Sequence, residues 1–306
     1  MGAVQDITGR KHKVAIMNAV HDLPVLVARD KGFFTDEGLD IEFVTTPGMA
    51  QVTTSHQVKF ETVFDRPLDS VYNEGGIDQY RMCEWGIMKR AVEADAQGLR
   101  RRRIVALGAS MSKFAIVVRR DSNIYEPEML KDELISVTPN NGSHFTMLKM
   151  LEGFLEPPHV KTTNAGSMLQ RLEALQRGEV AGVVLMEPWI SVAQKEGLRI
   201  LIESHSTRSE AASDELDGET LKKMFRAQAR AVELLDKDPK PFAHYLVAET
   251  GGLLDESELQ TWRLLHAPPQ PYTRERFEDT YRWTVKWNMT VPGATYENMV
   301  DNRAWV

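Results

Sequence analysis

The stretch from Lys13 to Thr45, KVAIMNAVHDLPVLVARDKGFFTDEGLDIEFVT, predicts a β-α-β unit. Its two ends, up to Asn18 and from Leu39 onward, have the short apolar or alternating patterns of strands. Between them, Leu23–Lys31 has helical spacing, with Asp22 as the expected N-cap. A strand, a helix and a second strand in this order favour an α/β architecture.

The same alternation continues along the chain. Further strands are predicted at Val58–Phe64, Ile104–Gly108, Phe114–Arg119, Leu134–Thr138, Val180–Met186 and Leu198–Ile202. Helices are predicted at His144–Phe154, Met168–Arg177 and Pro188–Gly197, and over most of residues 219–306; Tyr80–Asp95 is predicted as a helix or as a strand end that runs into one. Ser143 is the expected N-cap of the first of these helices. The pattern favours an α/β fold with mostly parallel sheets.

Composition excludes several classes of protein. Of the 306 residues, 42% are hydrophobic and 26% are charged, which is typical of a globular chain and not of a disordered one. The longest apolar run, Val180–Met186, is far shorter than the roughly 20 residues that span a bilayer. With a net charge of -7, no nucleic-acid partner is expected, and the Arg100–Arg103 run is interpreted as a solvated helix end or loop.

The N-terminal sequence bears on cellular location. It reads MGAVQDITGRKHKVAIMNAV and contains neither an apolar h-region nor an obvious cleavage site. We therefore predict a cytoplasmic protein. A chain whose signal peptide had been removed would read the same way and would be periplasmic or extracellular.

Three segments resemble the SsuA/THI5 (NMT1-like) group of type 2 periplasmic-binding-protein folds. Leu23–Phe43 is similar to that group's opening motif, in which a helix ends at KG-F/Y-F and is followed by EGLD and a strand. Phe114–Thr138 resembles the segment containing (I/V)V(R/K)-x-x-S-x-I. Arg177–Gly197 resembles the motif G-x-(V/I)-D-A-x-x-x-x-E-P, with Ala181-Gly182 where the group usually has Asp-Ala. The order and spacing of the three segments strengthen the match.

The resemblance implies an α/β, two-lobed, type 2 periplasmic-binding-protein-like fold with a hinge, an interlobe cleft and a helical C-terminal segment. Residues 1–108 and 198–306 are expected to form lobe one, and residues 109–197 lobe two. Loops and helix N-termini at the carboxyl ends of parallel strands would face the cleft. Four loops are expected there: Asn18–Asp22, Arg81–Trp85, Asn140–Phe145 and Glu187–Trp189.

These loops supply the candidate ligand contacts. A helix N-terminus suits a carboxylate, sulfonate or phosphate, and a tryptophan can stack on an aromatic ligand. The structural alternatives are a plain Ser143 cap with His144 on the surface, a helix-capping Glu187 and a core Trp189. The predicted ligand-binding residues are Asn18, His21, Trp85, Asn140, Asn141, Gly142, Ser143, His144, Glu187 and Trp189.

The catalytic candidates are His21, Cys83, Glu84 and His144. A Cys83 thiolate needs an activating base or a positive environment, and His21 or His56 would be such a base. The structural alternative is that Cys83 is a small buried apolar residue. One cysteine and scattered histidines, without a known motif, predict neither a metal site nor a cofactor.

Two kinds of protein share the resembled group. Most are ligand-binding subunits of uptake systems for sulfonates, nitrate, pyrimidines and similar molecules. A minority are cytoplasmic enzymes, among them a thiamine-pathway pyrimidine synthase and an aryl-sulfinate desulfinase. The synthase has a cysteine-rich run that this chain lacks. The desulfinase's nucleophilic cysteine corresponds to Ala19, its histidine to Lys59 and its arginine to Val71, so neither chemistry is expected here.

The sequence therefore predicts a small-molecule binding protein that holds an anionic ligand, aromatic or not, in the interlobe cleft. The alternative is a cytoplasmic, cofactor-independent lyase or hydrolase, of the decarboxylase or desulfinase kind, that acts on an aromatic acid in the same cleft. A third class, a sensor or regulatory protein, would show an exposed apolar patch on the C-terminal segment. Transporter subunits are expected as partners only if the chain is exported.

Overall fold

The structure, a computed structural model, describes residues 11–45, 67–290 and 292–306. Strands and helices alternate over most of this part of the chain. The strands are β1 (His12–Ala15), β2 (Ile41–Val44), β3 (Gln79–Cys83), β4 (Arg103–Val118), β5 (Leu134–Ser136), β6 (Lys161–Thr163), β7 (Gly182–Met186), β8 (Arg199–Ala212) and β9 (Leu264–His266). The helices are α1 (Ala19–Asp30), α2 (Phe33–Asp36), α3 (Pro67–Asn73), α4 (Glu84–Ala96), α5 (Gly142–Leu151), α6 (Met168–Gln176), α7 (Trp189–Lys195), α8 (Gly218–Lys237), α9 (Ala243–Val247), α10 (Arg274–Lys286) and α11 (Tyr296–Met299).

The described strands are hydrogen-bonded in the order β2-β1-β3-β8-β4-β7-β5-β6, with β9 attached to β4. β1 is parallel to β2 and β3, and β5 is parallel to β6 and β7. β4 is antiparallel to β7, β8 and β9, and β3 is antiparallel to β8. The sheet is therefore mixed, and the prediction of mostly parallel sheets is wrong.

β4 and β8 connect the two halves of the molecule. They pair from Arg103 opposite Ala212 to Val118 opposite Arg199. One end of this ribbon adds β3, and the other end adds β7 through β4. Two long strands that belong to both halves form the connection between two lobes.

Both long strands differ from the sequence prediction. Ile104–Gly108 and Phe114–Arg119 were expected as separate strands, but β4 runs through both, with a register shift between Leu107 and Met111 where β9 also pairs. β8 continues well beyond the expected end at Ile202. The expected lobe boundary at residue 108 falls inside β4, and the boundary at residue 197 lies just before β8; both boundaries remain predictions.

Two helix starts also differ from prediction. Asn18, not Asp22, is the N-cap of α1, and its side chain accepts a hydrogen bond from the His21 backbone N–H. Asn141, not Ser143, is the N-cap of α5. In each case the expected capping side chain has another partner: Asp22 binds Arg81, and the Ser143 hydroxyl accepts from the Thr138 N–H.

The arginine run leads from a loop into β4 and is only partly solvated, because Arg101 is exposed whereas Arg102 is buried. Arg102 is 2% exposed and pairs with the buried Asp69 carboxylate at 2.7 Å. Arg100 donates to the Tyr72 and Ile77 carbonyls at 2.9 and 2.6 Å. Arg100 and Arg102 thus connect the segment before β4 to residues 69–77.

The segment after β8 is mainly helical, as predicted, and it adds the short strand β9 to the sheet. Within the described residues, no helix has both the length and the apolar character needed to cross a membrane. The predicted strand Val58–Phe64 and His56 lie outside the described residues.

Candidate functional site

The start of α1 is held by side chains of its own lobe. Asp22 accepts hydrogen bonds from the backbone N–H groups of Met17 and Asn18 at 2.5 and 3.0 Å. Its other carboxylate oxygen accepts from Arg81 on β3 at 2.6 Å. Arg81 also donates to Glu210 on β8 at 3.0 Å, so these buried groups connect α1, β3 and β8. The connection fixes where His21 lies.

His21 presents a hydrogen-bond donor that has no partner among the described residues. The Asn18 side-chain amide nitrogen lies 2.9 Å from Nδ1 of His21, and the Asn18 oxygen accepts from the His21 backbone N–H. Since the amide nitrogen donates, Nδ1 is the acceptor and the ring proton is on Nε2. Nε2 is buried and has no hydrogen-bond partner among the described residues. Burial, followed by the nearby Arg208 and Arg81, lowers the pKa of His21 well below its ordinary value, so the ring is neutral.

Arg208 on β8 is the second donor. It is 1% exposed, and it donates to the hydroxyls of Ser112 and Ser206 at 3.1 and 3.5 Å. Its guanidinium carbon lies 5.7 Å from the Phe114 ring centroid. Nη2 is buried without a hydrogen-bond partner, and no carboxylate of the described residues forms an ion pair with the guanidinium. Burial lowers the pKa of Arg208 to about 10, although Cys83 and Asp22 oppose this shift.

The N-terminus of α5 approaches Arg208 from lobe two. A Cβ atom at Gly142 would lie 3.1 Å from Cζ of Phe114, 3.5 Å from Nη1 of Arg208 and 3.6 Å from Cβ of Cys83. Glycine therefore allows the close contact between α5 and the end of β3. Asn141 accepts from the Gly142 N–H, which completes the cap of the helix.

His144 lies in the first turn of α5. Its Nδ1 accepts from the Asn140 backbone N–H at 3.3 Å, and its ring stacks at 6.3 Å on Phe145. Burial lowers the pKa of His144 to about 4, so this ring is also neutral near pH 7. Ser143 is buried, and its hydroxyl accepts from Thr138.

Cys83, Glu84 and Trp85 point in different directions. Cys83 is the N-cap of α4 and pairs with Arg208 of β8 in the sheet, and a Cβ atom at Gly142 would lie 3.6 Å from its Cβ. Glu84 instead accepts hydrogen bonds from Arg276, Tyr272 and Thr280 and so faces the C-terminal segment. The Trp85 ring lies 6.2 Å from Phe145 of lobe two. The structure thus brings Cys83 and Trp85 to the junction of the lobes and turns Glu84 away from it.

Glu187 and Trp189 are both buried, and Glu187 binds a side chain of the C-terminal segment. Glu187, preceding a cis proline, accepts from the Ser191 hydroxyl at 2.8 Å and from Arg263 at 3.3 Å. Burial, opposed by Ser191 and Arg263, raises the pKa of Glu187. Trp189 is 1% exposed and packs in the main apolar cluster. Both carboxylate oxygens of Glu187 therefore already have protein donors.

The sequence analysis did not identify Arg208 and Glu210, and it included Arg81 only as the first residue of an expected cleft loop. Arg81, Arg208 and Glu210 belong to β3 and β8, and the second half of β8 was not predicted as a strand. A signal was present: Ser206, Arg208 and Glu210 alternate with other residues at the two-residue period of a strand face. Among the described residues, no group of three or more His, Cys, Asp or Glu side chains is suited to hold a metal ion.

Solved structures share this architecture. SsuA, the periplasmic aliphatic sulphonate binding protein of Escherichia coli, aligns over 96% of this chain and 92% of its own, with a TM-score of 0.71 and 14% identity. SsuA of Xanthomonas axonopodis pv. citri, an alkanesulfonate-binding protein bound to MOPS, aligns over 92% of this chain and 94% of its own, with a TM-score of 0.69 and 15% identity. A mutant of DszB in complex with biphenyl-2-sulfinic acid aligns over 96% and 98%, with a TM-score of 0.62 and 14% identity.

The protein has the periplasmic-binding-protein fold. The predicted fold class, two α/β lobes with a cleft between them, is confirmed. No protein-family model matches the sequence, and a search of curated proteins finds no match. Sequence identities of 14–15% establish the fold alone. The residues of the cleft decide its chemistry.

The groups at the junction of the lobes share one chemical property. Nε2 of His21 and Nη2 of Arg208 are both hydrogen-bond donors that lack a protein acceptor in the described part of the chain. The α5 N-terminus, which lies beside Arg208, carries a partial positive charge. An arrangement of donors and positive charge is suited to an anion.

Proposed function

We propose that the protein binds a small organic anion between its lobes, with the anionic group on Arg208, His21 and the N-terminus of α5. The observation that carries the proposal is Arg208, a guanidinium that is 1% exposed and has a buried Nη2 without a partner in the described residues. A buried charge without a partner is strongly unfavourable. A bound anion would supply both the missing counter-charge and the missing acceptor.

The position of Arg208 explains how binding would be linked to the lobes. It belongs to β8, one of the two strands common to both lobes, and it lies beside Gly142 of α5 and Cys83 of β3. An anion on Nη2 would therefore meet groups from both lobes at once. Closure around it would exclude water and strengthen each polar contact.

The neighbouring structures suggest the first ligands to test. The two SsuA proteins are sulfonate-binding proteins, and one of them was solved with MOPS. A sulfonate presents three acceptor oxygens and one negative charge, which suit two side-chain donors and a helix N-terminus. We therefore expect sulfonates and, more weakly, carboxylates of similar size to bind.

Calorimetric titration with MOPS and ethanesulfonate tests the proposal. Removing one partner of a buried charge pair typically raises the free energy of binding by about 2–5 kcal/mol, so Arg208→Gln should weaken binding by roughly 30-fold or more. Arg226→Gln is the control, because Arg226 is half-exposed and pairs with Glu37 on the surface. Equal affinity of Arg208→Gln and wild type would contradict the proposal.

A second function, a cofactor-independent lyase or hydrolase, is favoured by one observation. Cys83 lies at the N-terminus of α4 within the electrostatic reach of Arg208, a positive environment of the kind that activates thiols. A ligand anchored on Arg208 would then lie beside a nucleophile. Mass spectrometry of biphenyl-2-sulfinate after incubation with wild type and Cys83→Ser tests this function: recovery of intact ligand from both proteins would reject it.

Location and partners follow from the same proposal. A cytoplasmic protein, as the sequence predicts, would use the cleft to sequester, deliver or convert its anion. An exported protein would deliver it to transporter subunits, which is what the resemblance to uptake systems implies. Fractionation of cells that produce the protein separates these cases.

The lobe boundaries can be tested separately. Limited proteolysis that releases residues 109–197 as one fragment would support the predicted lobe boundaries.

A further inference from the structure

The first turn of α1 is already neutralised by carboxylates. The Glu249 carboxylate accepts a hydrogen bond from the Ala19 backbone N–H at 2.6 Å, although the two residues are far apart in the chain. Asp22 accepts from the N–H groups of Met17 and Asn18. Two acidic side chains therefore occupy the helix N-terminus on the lobe-one side, where an anion would otherwise bind.

The α5 N-terminus on the lobe-two side differs in charge. Its cap is the neutral amide of Asn141, and no carboxylate of the described residues accepts a hydrogen bond from the first turn. The nearest charged group identified there is Arg208, whose Nη1 lies 3.5 Å from the position of a Cβ at Gly142. The N-terminus of α5 therefore keeps its partial positive charge, whereas carboxylates compensate the partial positive charge at the N-terminus of α1.

The acidic and basic groups of the junction act on one another. Burial and then Asp22 raise the pKa of Glu249, and Asp22 opposes the lowering of the Arg208 pKa by burial, so both groups lie within electrostatic reach of Asp22. Glu249 has a second oxygen that is buried without a hydrogen-bond partner among the described residues. A second negative charge brought near this carboxylate would be repelled, whereas a neutral or donating group would not.

We infer that the cleft selects ligands with a single anionic group and that Glu249 is the residue that excludes a second one. The inference rests on the proposed function, since it assigns the anionic group to Arg208 and the α5 end. The rest of the ligand is uncharged or carries a donor. Glu249 is a specificity determinant because it lies at the position that a second acidic group would otherwise take.

The test compares ethanesulfonate with 1,2-ethanedisulfonate by calorimetry at pH 8 and fixed ionic strength. We expect wild type to bind the disulfonate at least tenfold more weakly than the monosulfonate. Glu249→Gln removes the charge but keeps an oxygen for the Ala19 N–H, and it should reduce this difference to less than threefold. Glu256→Gln, which alters an exposed carboxylate on the same segment, should leave the difference unchanged.

Each outcome decides a separate point. If neither sulfonate, nor MOPS or a carboxylate, binds to wild type, the proposed function fails. If wild type binds both sulfonates equally, the proposed function stands and the selection of monoanions fails. If the difference persists in Glu249→Gln and in Glu249→Ala, both checked for folding by thermal unfolding, Glu249 is not its cause.

Discussion

Arg208 is the residue whose energetics most constrain the site. Its side chain is buried between Ser112, Ser206 and Phe114. The lowered pKa, about 10, means that the folded state holds the charged form less well than water does. A group that is unfavourable for folding and lies at a cleft is typical of a binding site, where stability is traded for function.

The first prediction concerns the stability of the ligand-free protein. Arg208→Met replaces a buried charge with an apolar side chain of similar length, so the free energy of unfolding should rise by about 1 kcal/mol. Urea unfolding of the two ligand-free proteins measures the difference. A variant less stable than wild type by a similar amount would mean that the guanidinium supports the fold rather than a ligand.

The second prediction concerns pH. Burial and the Asp22 charge, opposed by the Ala19 N–H, raise the pKa of Glu249 to about 7, above its ordinary value of 4.5. The folded protein therefore retains a proton that the unfolded chain releases, and this contribution to stability is lost as pH rises from about 4.5 through 7. Relative to Glu249→Gln, wild type should become less stable between pH 5 and pH 8.

Urea unfolding of both proteins at several pH values measures this effect. The comparison with Glu249→Gln is needed because His144, whose pKa is lowered to about 4 by burial, gives the opposite trend between pH 4 and 6.5. Parallel stability curves for the two proteins would show that the Glu249 carboxyl titrates as it does in water.

At the scale of elements, α5 is one of the parts of the predicted lobe two that contact the predicted lobe one. Gly142 faces Cys83 and Arg208, and at the other end of the helix Glu152 accepts from the Trp283 indole of α10 at 2.7 Å. Lys149 lies 5.3 Å from the same Trp283 ring. The helix therefore joins the lobes at both of its ends.

The third prediction follows from the space at Gly142. A Cβ there would lie 3.1 Å from Phe114, and the branches of a valine would come closer to Arg208 and Cys83. Overpacking of this kind typically destabilises the packed structure by about 1–3 kcal/mol. Because the crowded side chains include Arg208, the displacement that relieves the clash should weaken sulfonate binding by Gly142→Val about tenfold or more. Gly153→Val is the matched control, because a Cβ at exposed Gly153 meets no atom within 4 Å. Equal losses in both variants would contradict the role of this contact.

The strands and helices also show which parts of the fold could be predicted from the sequence. The first β-α-β unit and β7 have strong local patterns, and they were predicted with small errors at their ends. The second half of β8 was missed because its serines, Arg208 and Glu210 resemble a polar loop until their pairing with β3 and β4 is known. The caps of α1 and α5 were misassigned because Asp22 and Ser143 bind groups that are distant or in the preceding loop.

At the scale of the whole molecule, the fold was predictable and the centre of the site was not. The resemblance of three segments led to two lobes and a cleft, and to loops such as Asn140–Phe145. The binding charge itself comes from a long strand common to both lobes, and its importance lies in the fact that no carboxylate of the described residues forms an ion pair with it. Which charges pair is decided by the packing of distant segments, so the sequence of any one segment cannot show it.

The most direct measurement is a crystal structure of the protein with ethanesulfonate. We predict the sulfonate group between the lobes, within hydrogen-bond distance of Nη2 of Arg208 and Nε2 of His21 and at the N-terminus of α5. A sulfonate bound elsewhere, with Nη2 of Arg208 still lacking an acceptor, would contradict the central claim.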